Sequence, residues 1–276
     1  MTDPIINPTT LTQLRHMLGS FPHAVILHGP KGIGLSGVAA YVRNELSATT
    51  ITVLPEKNDK VDIENGVISV SSIRRLYDQT KTTSRGARLI VIDYAERMGV
   101  QAQNAFLKLL EEPGKDVHFL LLCHDAGSLL PTIRSRAQLL EVQPATQAQS
   151  EDMLDTLKVS DATKRAQLLF VANGLPAELQ RLIADDKLFQ ARATLIRDAR
   201  TIVQGSTYDK LAVVQYYKDD REASLVLLTD AMNMVRGSVV KDPQPRSIVT
   251  LGALLEAYER VLANGNLRLQ LAAHVV

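Results

Sequence analysis

The chain has 276 residues, 45% of them hydrophobic, and sets 31 Lys and Arg against 30 Asp and Glu for a formal net charge of +1. That composition supports a sizeable core spread over two or three domains, and the even charge excludes long-range attraction of the whole molecule to nucleic acid, leaving only local patches. Its one cysteine, Cys123, excludes an internal disulfide and a four-cysteine zinc module and points to a reducing cytoplasm; no apolar run approaches the roughly 20 residues that cross a bilayer, and residues 1–10 have neither the basic start nor the apolar stretch of an export signal.

Short apolar runs rich in β-branched residues at 24–28, 51–54, 67–70, 88–93, 117–123 and 138–142 read as buried strands. Helical spacing between them predicts helices over 36–46, 71–80 and 101–112, the last stopped by Pro113, which cannot continue a helix. Strand and helix alternate, so a parallel α/β sheet is expected. After Pro144 the strand signals cease, and helices are expected at about 150–158, 163–172 and 176–184, separated by polar or Gly/Pro breaks. From Gly205 a third block shows apolar periodicity through 211–217, 223–235 and 251–262, broken by a turn at 242–245. The expected domains are therefore an α/β domain (1–145), a small helical domain (146–204) and a helical assembly module (205–276), with no internal repeat or low-complexity tract.

The segment His28-Gly29-Pro30-Lys31-Gly32-Ile33-Gly34-Leu35-Ser36 follows a predicted strand and opens a predicted helix, the context of a phosphate-binding loop. In the pattern G-x-x-x-x-G-K-[ST], Gly29 and Gly34 are present, Gly32 lies between them, and Ser36 is suited to magnesium. Leu35 stands where the lysine belongs. Leucine brings no charge to the β- and γ-phosphates, so turnover at this loop is not expected. Two other readings stay open: a Gly-rich turn without any nucleotide, and a loop in which Lys31 replaces the missing lysine. The apolar run 89–92 ends in Asp93, also suited to magnesium, but Tyr94 follows where a hydrolysing enzyme would place Glu, and Glu96 is expected to turn away from a strand-end site.

Several stretches then resemble bacterial clamp-loader subunits of the AAA+ family in order and spacing: Phe21-Pro22-His23-Ala24, Ser72-Ile73-Arg74, Asp93-Tyr94-Ala95-Glu96-Arg97-Met98, Asn104-Ala105-Phe106-Leu107-Lys108-Leu109-Leu110-Glu111-Glu112-Pro113, and Leu130-Pro131-Thr132-Ile133-Arg134-Ser135-Arg136. The resemblance covers about residues 10–185 and, in outline, the stretch 262–269, which is similar to a collar helix. It implies an AAA+ P-loop sheet domain, a helical lid and a C-terminal helical collar, shorter than the family's usual one. ATPase members keep the loop lysine, the acidic pair after the strand and an arginine early in a lid helix; this chain lacks all three, with Pro176 of Asn173-Gly174-Leu175-Pro176 close to the arginine's place. That loss resembles the non-hydrolysing delta-prime class of DNA polymerase III subunits. Ser135-Arg136, with Ala137 in place of a cysteine, then corresponds to the family's arginine finger, which reaches a neighbour's ATP. The implied partners are gamma/tau and delta subunits, the sliding clamp and primer-template DNA. No cofactor is expected on this chain, ATP and magnesium being held by the neighbour; nor is a metal, because residues 46–64 lack the Cys and His of the family's zinc knuckle. Arg136 as a simple cap on the last strand, an active gamma/tau-like ATPase, and an AAA+ scaffold outside replication are the alternatives.

His118, Cys123, His124 and Asp125 lie close enough to raise a metal cluster or a Cys-His pair; strand alternation instead makes Cys123 core and leaves His124-Asp125 at a strand end, where relatives place a phosphate sensor. Arg74, Arg75, Lys81, Arg85 and Arg88 form a basic stretch that reads either as a solvated helix face or as a DNA contact.

Overall fold

The computed structural model describes residues 4–81, 86–241, 244–263 and 265–275. The chain forms two compact units, Met1–Arg181 and Leu182–Val276. The first opens with α1 (Pro8–Leu18), where Asn7 accepts a hydrogen bond from the Thr9 amide and Pro8 fills the first turn. β1 (Ala24–His28), α2 (Leu35–Leu46) and β2 (Thr49–Val53) follow, then a two-stranded hairpin of β3 (Glu56–Lys57) and β4 (Lys60–Val61). Next come α3 (Val70–Lys81), β5 (Arg88–Ile92), α4 (Val100–Glu111), β6 (Val117–Cys123), the single turn α5 (Pro131–Arg134) and β7 (Gln138–Glu141). Helices α6 (Gln147–Thr156) and α7 (Ala162–Ala172) follow, and the boundary between the units falls within α8 (Pro176–Ala184).

The main sheet has five strands in the order β2-β5-β6-β1-β7, and every pairing is parallel. Side chains alternate through it as a pleated strand requires. Ile26, Ile90, Ile92, Phe119 and Leu121 face one side with α3 and α4; Val25, Leu27, Leu89, Val91, Leu120 and Leu122 face the other with α1 and α2. Both faces are covered, which is why the central strands read as unbroken apolar runs. The C-terminal ends of β1, β5 and β6 therefore open together on one edge, the place where open parallel sheets bind ligands.

The second unit is helical: α9 (Asp186–Gln204), α10 (Thr207–Tyr217), α11 (Arg221–Lys241), α12 (Pro245–Leu262) and α13 (Leu267–Val275). α11 packs on α9 and α12, and α13 on α10 and α12, around Leu227, Leu228, Leu254, Val261 and Leu271. A two-pronged Arg192–Asp230 pair joins α9 to α11, and Arg221 donates to the Val261 and Gly265 carbonyls, closing the end of α12.

One local expectation changes, and further elements appear beyond those expected. The run 67–70 is not a strand: Val67 and Ile68 make only isolated bridges to Glu56 and Met98, and the Ser69 hydroxyl caps the following helix by accepting from the Ser72 amide. The α1, β3–β4 and α9 elements were not expected from apolar period. The turn placed at 242–245 lies partly outside the described residues, since 242 and 243 are not among them.

Candidate functional site

The loop after β1 is shaped by two glycines with left-handed backbone, Gly32 at φ 87° and Gly34 at φ 89°, where a side chain would be strained. Gly34 caps α2, and Ser36 in its first turn donates to Asp93 Oδ2 at 3.1 Å. The structure thus brings Gly29, Gly32, Gly34, Ser36 and Asp93 to one end of the sheet. Burial raises the Asp93 carboxyl above its ordinary range, opposed by the bonds from Ser36 and the Tyr94 amide. Leu35 is 3% exposed and packs with Ile33 and Val38 in the core of the α2 face, while Lys31 lies exposed on the shoulder of the loop. Hydrocarbon occupies the position that the loop pattern reserves for a charge.

The first turn of α8 sits on this loop. The Gly32 carbonyl accepts from the Ala177 amide at 3.0 Å and the Glu178 amide at 3.2 Å. The approach is so close that a Cβ on Gly32 would lie 2.8 Å from Glu178 Cβ. Leu175, just before the helix, packs against the same core, and the Gly174 carbonyl accepts from the Ala145 amide at 2.8 Å, tying the turn to the end of the sheet. Amides at a helix start would otherwise be anion donors; here two of them are committed to a carbonyl of the loop. Glu178 adds a carboxylate beside the loop, paired with Arg181 Nη1 at 3.2 Å.

Glu96 corrects an expectation. Instead of turning away, its Oε2 accepts from the His124 amide at 3.3 Å, which places it at the end of β6 within reach of Cys123. The cause is the 3-10 turn Ala95–Arg97, entered through Tyr94 in left-handed conformation, φ 56°. The expectation has the pleat or the following turn carry Glu96 away; this turn instead brings it back to the strand ends. Burial, and next the Glu96 charge, push the Cys123 thiol up to about 12, so it is no nucleophile. His124 Nδ1 lies 3.0 Å from the Gly29 carbonyl, and His118 Nδ1 3.0 Å from the Pro22 carbonyl; these side chains do not converge, and among the described residues no group of three or more His, Cys, Asp and Glu is arranged to hold a metal.

A second locus lies beyond β6. Gln103 of α4, 3% exposed, donates from Nε2 to the Met98 carbonyl at 3.0 Å and the Ser128 carbonyl at 3.2 Å, and accepts from the Leu130 amide at 2.7 Å. It fixes the loop that begins α5. Just past that turn, Ser135 Oγ donates to the Thr132 carbonyl at 3.1 Å, and Arg136 reaches the same carbonyl through Nη1 at 3.2 Å and Glu111 Oε1 through Nη2 at 3.1 Å. Arg134 and Arg136 are both exposed. The basic stretch is less available than its sequence suggests: Arg75 pairs with Glu56 at 2.6 Å, and Arg88 is buried and donates to the Gln79 carbonyl. Arg85 and the Lys81 side chain lie outside the described residues.

A family model described as "DNA polymerase III, delta subunit" matches residues 6–146. The chain belongs to this family. Among curated relatives, DNA polymerase III subunit delta' of Pseudomonas aeruginosa is 31% identical over 181 residues, 58% of this chain and 55% of that protein. The delta' subunit of Bacillus subtilis is 36% identical over 110 residues, 40% of this chain and 33% of that protein, and replication factor C subunit 3 of Saccharomyces cerevisiae is 28% identical over 189, 64% and 52%. The match thus spans about half, or less, of these relatives' length. Among solved structures, a gamma subunit-related DNA polymerase III protein of Thermotoga maritima is similar with a TM-score of 0.51 at 17% identity, covering 96% of this chain and 98% of that one. RuvB of the same organism gives 0.50 at 17%, covering 95% and 90%. At this identity the likeness establishes the fold, an AAA+-type parallel sheet followed by helices. Among the described residues no helix is long and apolar enough to cross a membrane.

Within this family member, four side chains at the site were missed from sequence. Glu96 was misplaced, Glu111 was read only as part of a motif, and Gln103 and Glu178 carried no signal beyond their position in a helix. A buried Gln at Gln103, two turns before Glu111 and on the face with Ala102, Phe106 and Leu110, is the one that a helical-wheel reading could have found.

Proposed function

We propose that this chain is a non-hydrolysing clamp-loader subunit of the delta-prime kind, which completes a neighbouring subunit's ATP site with Arg136 during ATP-dependent loading of a sliding clamp onto primed DNA. The observation that carries the reading is the seating of α8 on the phosphate loop. With Leu35 in the core where the loop lysine belongs, two α8 amides already committed to the Gly32 carbonyl, and the Glu178 carboxylate beside the loop neutralising Arg181, the chain's own loop is a poor fit to a nucleoside triphosphate. Ser36 and Asp93 persist as a pair satisfied by each other.

Arg136 needs no local nucleotide. Its guanidinium is permanently charged, exposed, hydrogen-bonded to the Thr132 carbonyl and paired with Glu111, so it can stabilise charge on a phosphoryl group held by another subunit, with Ser135 securing the turn beneath it. ATP and magnesium then belong to the neighbour, and gamma/tau and delta subunits are the proposed partners, with the clamp and primer-template DNA reached through the complex in the cytoplasm. Residues 1–145, 146–204 and 205–276 would serve as AAA+ domain, lid and collar. Relatives named as delta' and as a replication factor C subunit support the assignment.

Calorimetric titration of the isolated chain with magnesium-ATP tests the silent half of this reading. No saturable binding is expected up to about 1 mM, a free energy weaker than about 4 kcal/mol. Saturation in the micromolar range would instead favour an active ATPase subunit. Purification from the native cell without any clamp or polymerase subunit would favour a scaffold outside replication.

A further inference from the structure

We propose that Glu111 is a positioning residue for Arg136. Its carboxylate holds one edge of the guanidinium so that the rest of the fork is presented to a neighbour's phosphate. The inference rests on the reading of Arg136 as acting in trans, and deepens it.

The argument begins with the end of α4. Glu111 is the last helical residue, Glu112 is its C-cap, and Pro113 prevents continuation. Two carboxylates stand where the helix dipole is already negative, an arrangement unfavourable for helix stability and with only Lys108 as a basic residue in the last turn. It makes a site of negative potential, and the cation that meets it is Arg136, just past α5, which packs on the same face of the sheet as α4.

The geometry then fixes orientation as well as charge. Nη1 donates to the Thr132 carbonyl at 3.2 Å, and Nη2 forms an ion pair with Glu111 Oε1 at 3.1 Å. One hydrogen bond and one ion pair, to acceptors on different elements, bias where the planar group lies and leave its remaining N–H donors available to an anion. Both acceptors belong to one frame, because α4 and the start of α5 are already clamped together by the buried Gln103 amide on Leu130. Glu111 therefore references the guanidinium to the same body that carries the rest of the site.

Exposure separates this role from a structural one. The two side chains are 41% and 52% exposed, so solvent screens the pair and its contribution to folding is small. An effect of Glu111 on a neighbour's turnover would then come through Arg136 rather than through lost folding stability. An exposed ion pair also adjusts readily when a phosphate, a stronger and multidentate acceptor, arrives beside it.

The test is DNA-stimulated ATP hydrolysis by the complex of this chain with the ATP-hydrolysing subunit of the same organism, at matched assembly checked by size exclusion. Four forms are compared: unaltered, Glu111→Gln, Arg136→Ala, and both changes together, with Glu111→Asp as a conservative control. Glu111→Gln should lower kcat by about five-fold with KM for ATP little changed, since orientation acts on the transition state; Glu111→Asp should recover most of the loss; and in the Arg136→Ala background Glu111→Gln should do nothing further. If Arg136→Ala lowers turnover but Glu111→Gln does not, or if Glu111→Gln lowers it equally in both backgrounds, the positioning role is overturned while the role of Arg136 stands. If Arg136→Ala itself is without effect, the proposed function falls and this inference with it.

Discussion

Gly32→Ala perturbs the seating of α8 on the loop most directly, and Gly34→Ala is its internal control. Both glycines have left-handed backbone, φ 87° and 89°, so an alanine at either pays about 1–2 kcal/mol in local strain. They differ in what the new methyl meets. At Gly34 the nearest atom is Ala177 Cβ at 3.9 Å, an ordinary contact; at Gly32 it is Glu178 Cβ at 2.8 Å, which forces the loop and α8 apart. Separation weakens the two hydrogen bonds on the Gly32 carbonyl, together about 1–2 kcal/mol. Gly32→Ala should therefore destabilise the first unit by about 2–4 kcal/mol and Gly34→Ala by about 1–2. Urea unfolding followed by circular dichroism gives the stabilities, the chain having no tryptophan. Amide hydrogen exchange at Ala177 and Glu178 gives the local result, with protection lost in Gly32→Ala and retained in Gly34→Ala. Equal losses in the two variants, with both amides still protected, would refute the packing argument.

Leu35→Lys should not restore nucleotide binding: it sets an ammonium in the α2 face of the core, so magnesium-ATP titration should stay flat while stability drops by about 2–4 kcal/mol, and micromolar binding would contradict the buried placement of Leu35. Asp93→Asn should have a pH-dependent effect. Burial raises the native carboxyl, so the folded state binds the proton more tightly than the unfolded one, and the stability this gives at acid pH is lost as pH rises from the ordinary carboxylate range through the raised value. Relative to the native chain, the Asp93→Asn form should gain stability across that rise, and a flat or opposite trend in urea midpoints would contradict the burial argument. Gln103→Leu strands the Leu130 amide and two carbonyls without their partner, and should cost about 2–4 kcal/mol by denaturant unfolding; a loss below about 0.5 kcal/mol would mean that the amide is not fixing the loop.

The sheet was readable because its central strands are buried on both faces and lie between amphipathic helices, so apolar runs and helical spacing each report one fact about burial. The elements missed are those that bury little. Residues 56–61 are mostly polar and pair over only two residues each, although Asn58 and Asp59, both at positive φ, are the kind of turn that announces a hairpin. The Asn7-Pro8 cap of α1 and the Asp185 cap of α9 were present but unused. Val67 and Ile68 misled because β-branching marks extended backbone, which they have, without specifying a strand partner. At the site, the loop residues could be picked out by spacing because they follow one another along the chain, whereas Arg136 was singled out only through the resemblance. Glu178 on Gly32 and Glu111 on Arg136 are tertiary meetings, and no local pattern encodes which carboxylate will face a given loop or guanidinium.

The central claim is that Arg136 acts on a nucleotide held by another subunit. It is tested most directly by single-turnover ATP hydrolysis in the reconstituted complex, comparing the native chain with Arg136→Ala while ATP affinity and assembly are measured in parallel. The expected result is a fall in the hydrolysis rate by about three to five orders of magnitude with the complex intact and ATP still bound by the partner. An unchanged rate in an intact, ATP-loaded complex would contradict it.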